Sequence, residues 1–515
     1  MPHTIVAENC MQLPQLLKAL THLKQRILVE TEQEIAKLEL THTSKSALYS
    51  ILNVLNYVVM RREELHPLQS SLAQAGLSSL GRVEPHVMTN IDSVLEILSK
   101  AVSCESFPIS ESQVCVDYEG GYRQLQQRAE RLFGRPPKGR SEYIMVTMPT
   151  EAANQPELIE SFLEAGMNNA RINCAHDDAE TWLAMIENIR SSSNRLGRDC
   201  RILMDLAGHK IRTGEIIASK RKQEKHKNKK TQKPPRVLMG DWILLCKSLP
   251  NPSDSFKQFE ISVDVLVTCT YADVIDLVKC EESVWFDDGK IGTVIKQVTD
   301  QALLLQVTHV GPKGARLKTQ KGINFPQTAL NLPTLSHKDC SDLDFVSQHS
   351  DMVGLSFAES AEDVLYLQNK LIELGRSDLP ILAKIETADA VQNLPNILVK
   401  SLAKNIDIGI MIARGDLAVE LGSVRMAEIQ DEILRLCESA HVPVIWATQV
   451  LESLAKEGTI SRPEISDAAM SQRAECVMLN KGPYITDAVH ILSEVLQKME
   501  AHQFKSHTHF RALHW

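Results

Sequence analysis

The sequence predicts an α/β protein: a closed (β/α)8 TIM barrel that carries an inserted small β-barrel domain and follows an all-helical N-terminal region. Three observations lead there. From Tyr143 onward, eight short, β-rich apolar runs alternate with helix-like stretches. One interval between neighbouring runs exceeds a hundred residues and alternates polar with apolar residues. The first 135 residues repeat apolar side chains at helical spacing instead.

In chain order, residues 1–135 come first. "LPQLLKALTHLKQRILVETEQEIAKL" sets Leu13, Leu16, Leu17, Leu20, Leu23 and Ile27 at helical spacing, and "SALYSILNVLNYVVMRREEL" and "TNIDSVLEILSKAV" do the same. Nothing there looks catalytic, so packing or oligomerisation is the expected role. "FGRPPKGRSE" reads as a linker, with paired prolines and basic residues. The barrel is expected over 136–213 and 319–500, from the runs "YIMVTM", "NARINC", "RILMDL", "DMVGLSF", "ILAKIE", "DIGIMIAR", "VPVIWAT" and "CVMLN". Near-continuous apolar strands alternating with helices indicate a parallel sheet covered on both faces, and eight such units close into a barrel. An open doubly wound sheet is the rival, but no glycine-rich fingerprint follows the first strand. Residues 214–318 read as an inserted β lid of antiparallel strands, in which Asp287 and Asp288 of "FDDGKIG" mark a hairpin turn. The cationic run 220–233 lacks aromatics, so a solvated loop is favoured over a nucleic-acid patch. Residues 501–515, with His502, His507, His509 and His514, read as an unstructured tail.

Composition excludes several classes. At 515 residues the chain is long enough for more than one domain, and its formal charge of −9 gives no global basic field for nucleic acid. No apolar run reaches the length of a membrane span, and the N-terminus shows no basic segment followed by an apolar core. Eleven scattered cysteines with no CxxC pair fit reduced thiols, so a cytoplasmic protein is expected.

Charged residues gather where the strands end. In "ILAKIETADAV", Lys384 and Glu386 are two apart in an otherwise apolar strand and leave it on the same face. Such barrels hold their reactive groups at the C-terminal ends of the strands. Arg171 and Asn173 end the second, Asp205 the third, Ser356 the fourth, Arg414 and Asp416 the sixth, Thr448 the seventh and Asn480 the eighth. One carboxylate after strand five and another after strand six suit a hard cation such as magnesium. A lysine beside that ion suits a phosphate or a developing enolate.

These residues also carry a resemblance. "GMNNARINCAH", "MDLAGHKIRTGEI", "FDDGKIG", "KGINFPQTALNLPTLSHKD", "LAKIETADAV", "IGIMIARGDLAVELG", "VPVIWATQVLESL" and "SRPEISDAAM" occur in the order of the pyruvate kinase family, over about residues 141–500. The resemblance implies phosphoryl transfer from phosphoenolpyruvate to ADP, dependent on Mg2+ or Mn2+. Glu386 and Asp416 would hold that metal, Lys384 would stabilise the phosphoryl group in flight, and Arg171 would grip the substrate phosphate. The amides of Gly415 and Asp416, after Ala413 and Arg414, would receive the substrate carboxylate with help from Thr448. Ser356 would stand at the substrate pocket, and Asn173, His176 and Arg212 near the nucleotide phosphates and the monovalent cation. The inserted domain would close over the phosphates as a lid. A homo-oligomer in the cytoplasm is expected, with neither nucleic acid nor membrane as partner. The chain stops soon after the eighth unit, so the family's C-terminal regulatory domain, and a response to sugar phosphates, are expected to be absent.

Departures from the family pattern sharpen the expectations. Ala175 stands where a potassium-binding serine is common, Leu206 and Ala207 replace Thr-Lys, and Lys210 replaces a common glutamate. The Lys210 ammonium is expected to substitute for the monovalent cation, making potassium dispensable. "VMLNKGPYIT" replaces the Ser-Gly-Glu-Thr signature after strand eight, so Asn480, Lys481 and Gly482 remove a hydroxyl and a carboxylate that assist enolate protonation. Two alternatives stay open: a carbon–carbon lyase or aldolase acting on the pyruvate enolate, and a catalytically impaired relative that works through its helical N-terminus.

Overall fold

The computed structural model describes residues 11–103, 116–219, 234–249, 262–328, 330 and 332–500, together with two short strands in the tail. The cationic run 220–233 lies outside the described residues, as do His502, His509 and His514.

Eight parallel strands close into a barrel in chain order: Tyr143–Thr147, Asn169–Asn173, Arg201–Asp205, Met352–Leu355, Ile381–Ile385, Ile408–Ala413, Val444–Ala447 and Cys476–Leu479. The first pairs with both the second and the eighth, which completes the ring. Helices cover its outside, including Ala179–Leu196, Ala361–Glu373, Ala388–Ala403, Ser423–Ser439 and Ile485–Glu500. Their starts are written locally: Asp178, Ser336, Ser360 and Thr387 each accept a backbone N–H of the turn they cap. The largest apolar cluster lies between strands and helices. A second fills the barrel, where Met145, Leu203, Met352, Leu382, Met411, Ile445 and Met478 meet Leu132 and Phe133. Those last two end the helix Tyr118–Phe133 and seal the barrel floor. On a strand, side chains two apart share a face, so above inward Leu382 come Lys384 and then Glu386. The opposite-charge pair points into the barrel mouth.

The inserted domain is a curled half-barrel whose seven-stranded sheet runs from Thr213–Ala218 to Ile323–Asn324. Its strands were expected to be antiparallel throughout, but Trp242–Cys246 and Val265–Cys269 run parallel. The residues between them, 247–264, are enough for a crossover connection, which a parallel pair needs. The strands Ser283–Phe286 and Ile291–Val298 form the expected hairpin, and Asp287, Asp288 and Gly289 at its tip all take positive φ.

The N-terminal region contains the helices Leu13–Ile35, Lys45–Met60, His66–Gln74, Val87–Ser103 and Tyr118–Phe133. Leu16, Leu20, Leu23 and Ile27 are buried in its core, whereas Leu13 is exposed. The tail departs from expectation: Gln503–Phe504 pairs with His507–Thr508. No described helix is long and apolar enough to cross a membrane.

Candidate active site

The charges at the barrel mouth form one connected set. Arg171, from the second strand, donates to Asp205 Oδ2 through Nε (2.9 Å) and Nη2 (2.5 Å) and reaches Thr147 Oγ1 through Nη1 (3.1 Å). Lys384 Nζ donates to Ser356 Oγ at 2.8 Å, and lies 3.1 Å from Glu386 Oε1 and 3.5 Å from Asp205 Oδ2. Asp205, Ser356, Lys384, Glu386 and Arg171 are all buried. Burial works against the charge on Asp205, but Lys384 and Arg171 outweigh it and hold the carboxyl below its usual range. Burial likewise opposes charge on Lys384, and Asp205 with Glu386 keeps it protonated. Glu386 is pushed the other way, upward, by burial and by the neighbouring charge of Asp416, with Lys384 opposing.

Backbone strain aims several of these groups. Phe357 takes φ 54° and turns its amide to Glu386 Oε2 at 2.8 Å. Thr448, Gln449 and Leu451 also take positive φ, and Thr448 Oγ1 accepts the Gly415 amide at 2.8 Å. Non-glycine residues in that region gather at ligand clamps and active sites. Ala413 ends the sixth strand, and helix Arg414–Leu421 begins at once, so the Gly415 and Asp416 amides lie in its first turn, where helical N–H groups lack helical partners. Arg414 turns away from the mouth: it forks onto Asp467 (2.5 and 2.9 Å) and lies over the Trp446 ring.

Asp416 Oδ1 is 2.6 Å from Lys210 Nζ, which lies 3.6 Å from Asp288 Oδ1 on the lid. Glu386 and Asp416 fit a divalent ion: both are hard oxygen donors, and the charge of Asp416 raises the pKa of Glu386, a repulsion that a cation relieves. No group of three or more His, Cys, Asp or Glu with metal-ligand geometry occurs among the described residues, so water and substrate oxygens would have to complete the shell.

The residues assigned to the nucleotide side are less drawn together. Asn173 Oδ1 accepts the Ala175 amide at 3.0 Å, in a local turn. His176 lies at the surface, and the solvent it does lose, with the nearby positive charges of Lys481 and Arg212, holds it below the usual imidazole range. Arg212 points at the lid, with Nη1 3.3 Å from Gln320 O. Sequence reasoning named Asp205 without its role as the carboxylate shared by Arg171 and Lys384. It missed Glu420, whose carboxyl rises to about 7 through burial, with Asp416 and Glu359 adding to the shift. The i,i+4 spacing of Asp416 and Glu420 on one helix was the available signal.

A family model described as "Pyruvate kinase, barrel domain" matches residues 139–238 and 251–489. A pyruvate kinase of Bacillus licheniformis is 30% identical over 362 residues, 68% of this chain and 55% of that protein. One from Dictyostelium discoideum is 31% identical over 379 residues, 72% of this chain and 68% of its own length. Pyruvate kinase 2 of Saccharomyces cerevisiae is 31% identical over 379 residues, 72% and 69% of the two chains. The chain thus spans between about half and about two thirds of these relatives' length. The matched segments contain all eight barrel strands and the charged mouth built on them, and the chain belongs to the pyruvate kinase barrel-domain family.

Proposed function

We propose that the chain is a phosphotransferase of the pyruvate kinase type, moving the phosphoryl group of phosphoenolpyruvate to ADP and protonating the enolate to pyruvate. The observation that carries this reading is the buried Lys384 ammonium among Asp205, Ser356 and Glu386 at the barrel mouth. A magnesium or manganese ion on Glu386 and Asp416 would neutralise phosphate oxygens. Lys384 holds positive charge where the transferring group accumulates negative charge, and Arg171, locked by Asp205, presents its guanidinium to the substrate phosphate. The first-turn amides of Gly415 and Asp416 receive the substrate carboxylate, and Thr448 orders them. Ser356 fixes the ammonium. Asn173, His176 and Arg212 face the nucleotide phosphates, and the lid excludes water from the transfer.

Lys210 supports independence from potassium, because its ammonium already supplies a monovalent charge in the seam between Asp416 and Asp288. The altered turn after strand eight bears on the proton step. A Cβ at Gly482 would fall 2.2 Å from Ala455 O, so the position where relatives are expected to carry a carboxylate is packed against a helix here. That observation favours a second reading, a slow or impaired relative. Cytoplasmic location and assembly with further copies of the chain belong to the same proposal.

The test is a coupled assay with magnesium, ADP and phosphoenolpyruvate, run with and without potassium. Turnover retained in potassium-free buffer is the expected result. No turnover by folded protein rejects the phosphotransferase reading, and collapse without potassium rejects the role of Lys210. Binding of phosphoenolpyruvate without turnover, unaltered in Lys384→Met, would favour the impaired relative.

A further inference from the structure

Lys210 leaves the barrel on the outgoing connection to the lid, five residues beyond Asp205. Its ammonium lies in the seam between lid and barrel, with a carboxylate on each side: Asp416 of the barrel at 2.6 Å and Asp288 at the lid hairpin tip at 3.6 Å. Its stem packs on the returning connection, where a Cβ at Gly322 would lie 2.7 Å from Lys210 Cε. Around it the lid touches the same barrel helix, Arg414–Leu421, twice more. A Cβ at Gly289 would lie 3.4 Å from Val419 Cγ2, and Asn324 Nδ2 approaches Glu420 Oε1 at 3.4 Å.

Asp416 therefore has two claimants. An ammonium at hydrogen-bond distance from Oδ1 competes with a divalent ion for that carboxylate, and a divalent ion once seated repels the ammonium. Asp288 is the anion that faces Lys210 from the lid, Glu386 acting on it from the barrel side with Asp416, and a side-chain movement of less than an ångström at Nζ would bring Asp288 from 3.6 Å to about hydrogen-bond distance. We propose that Lys210 is a metal-released latch: a divalent ion taking Asp416 drives the ammonium onto Asp288 and tightens the lid hairpin against helix Arg414–Leu421. The proposal rests on the reading of Glu386 and Asp416 as the metal ligands. Metal occupancy and lid docking then become linked equilibria, each favouring the other. The Asp288 side chain is 57% exposed, so the coupling is severalfold and no more.

Manganese is the probe, titrated into the full chain without substrate. Bound ion is counted by loss of the free-ion electron paramagnetic resonance signal, and hydrogen exchange is followed across residues 283–298. In the wild type, manganese slows exchange in the hairpin. Asp288→Asn weakens manganese binding about two- to fivefold, because the displaced ammonium has lost its second partner, and it removes the protection. Lys210→Met binds manganese more tightly than wild type, and adding Asp288→Asn to it changes affinity no further. Wild-type affinity and wild-type protection in Asp288→Asn overturn the latch, and that arm alone decides should Lys210→Met not fold. Loss of saturable binding in Glu386→Gln and Asp416→Asn tests the ligand assignment separately. Binding that survives both substitutions, or is absent in the wild type, fails that assignment, and the latch falls with it.

Discussion

Lys384 shows how a single side chain can be held in two roles. It is buried with two carboxylates within 3.5 Å, and its ammonium points into the mouth where a phosphoryl group would pass. On the proposed function, Lys384→Met would remove that charge from the reacting centre and is expected to lower kcat by about 10²–10³-fold. It also leaves buried Glu386 without its ion-pair partner, while Asp205 keeps Arg171, and breaking such a buried pair costs about 3–5 kcal/mol of stability. Steady-state kinetics and urea melts on one preparation separate the two effects. At this scale the sequence was readable where chemistry and pattern disagreed: charges at positions 384 and 386 of an apolar strand had no core role to play. It was unreadable where geometry decided. Nothing in the letters tells that Asp205 serves both Arg171 and Lys384, or that Phe357 adopts a left-handed backbone to deliver its amide to Glu386.

Among the elements, the turn after the eighth strand illustrates how a local path limits what a substitution can restore. Tyr484 N–H bonds Ala455 O at 3.0 Å, and Gly482 lies against the same carbonyl. Gly482→Glu is therefore expected to destabilise by about 1–3 kcal/mol through overpacking, with no gain in turnover; thermal melts and the coupled assay check both halves. The strands and helices of the barrel were legible because period and length repeat through the chain. The lid was legible as β but not in its directions, since the parallel pair Trp242–Cys246 and Val265–Cys269 depends on a crossover that local alternation does not encode.

For the whole molecule, the junction between the helical region and the barrel turns on His441. Its Nε2 meets Pro85 O at 2.9 Å and its Nδ1 meets Ser50 Oγ at 2.8 Å. A carbonyl can only accept, so Nε2 carries the proton and Nδ1 accepts from the serine hydroxyl. Asn53 ties the same junction to Glu84 O and Ser439 O, and Arg128 to the carbonyls of Ala440 and His441. Burial drives the imidazole down to about 3, with nearby Arg128 and His86 adding to the shift. The unfolded chain therefore binds this proton first. Its contribution to stability is complete above about pH 6.5 and is lost as pH falls from there toward 3, at up to about 1.4 kcal/mol per pH unit. Urea midpoints at pH 7 and pH 5 should differ accordingly, and His441→Gln should flatten the difference. The helices of this region were legible from their spacing, but their docking was not, because the partners lie more than 300 residues away in the chain.

Leu132 and Leu382 both crowd the space above Gly409, and Leu382 is two residues below Lys384 on the inward face of its strand. The helical segment thus lends one of the side chains packed beneath the ammonium. A barrel cut away from that segment would keep every charged group in its sequence yet lose the Leu132 and Phe133 side chains that plug its far end.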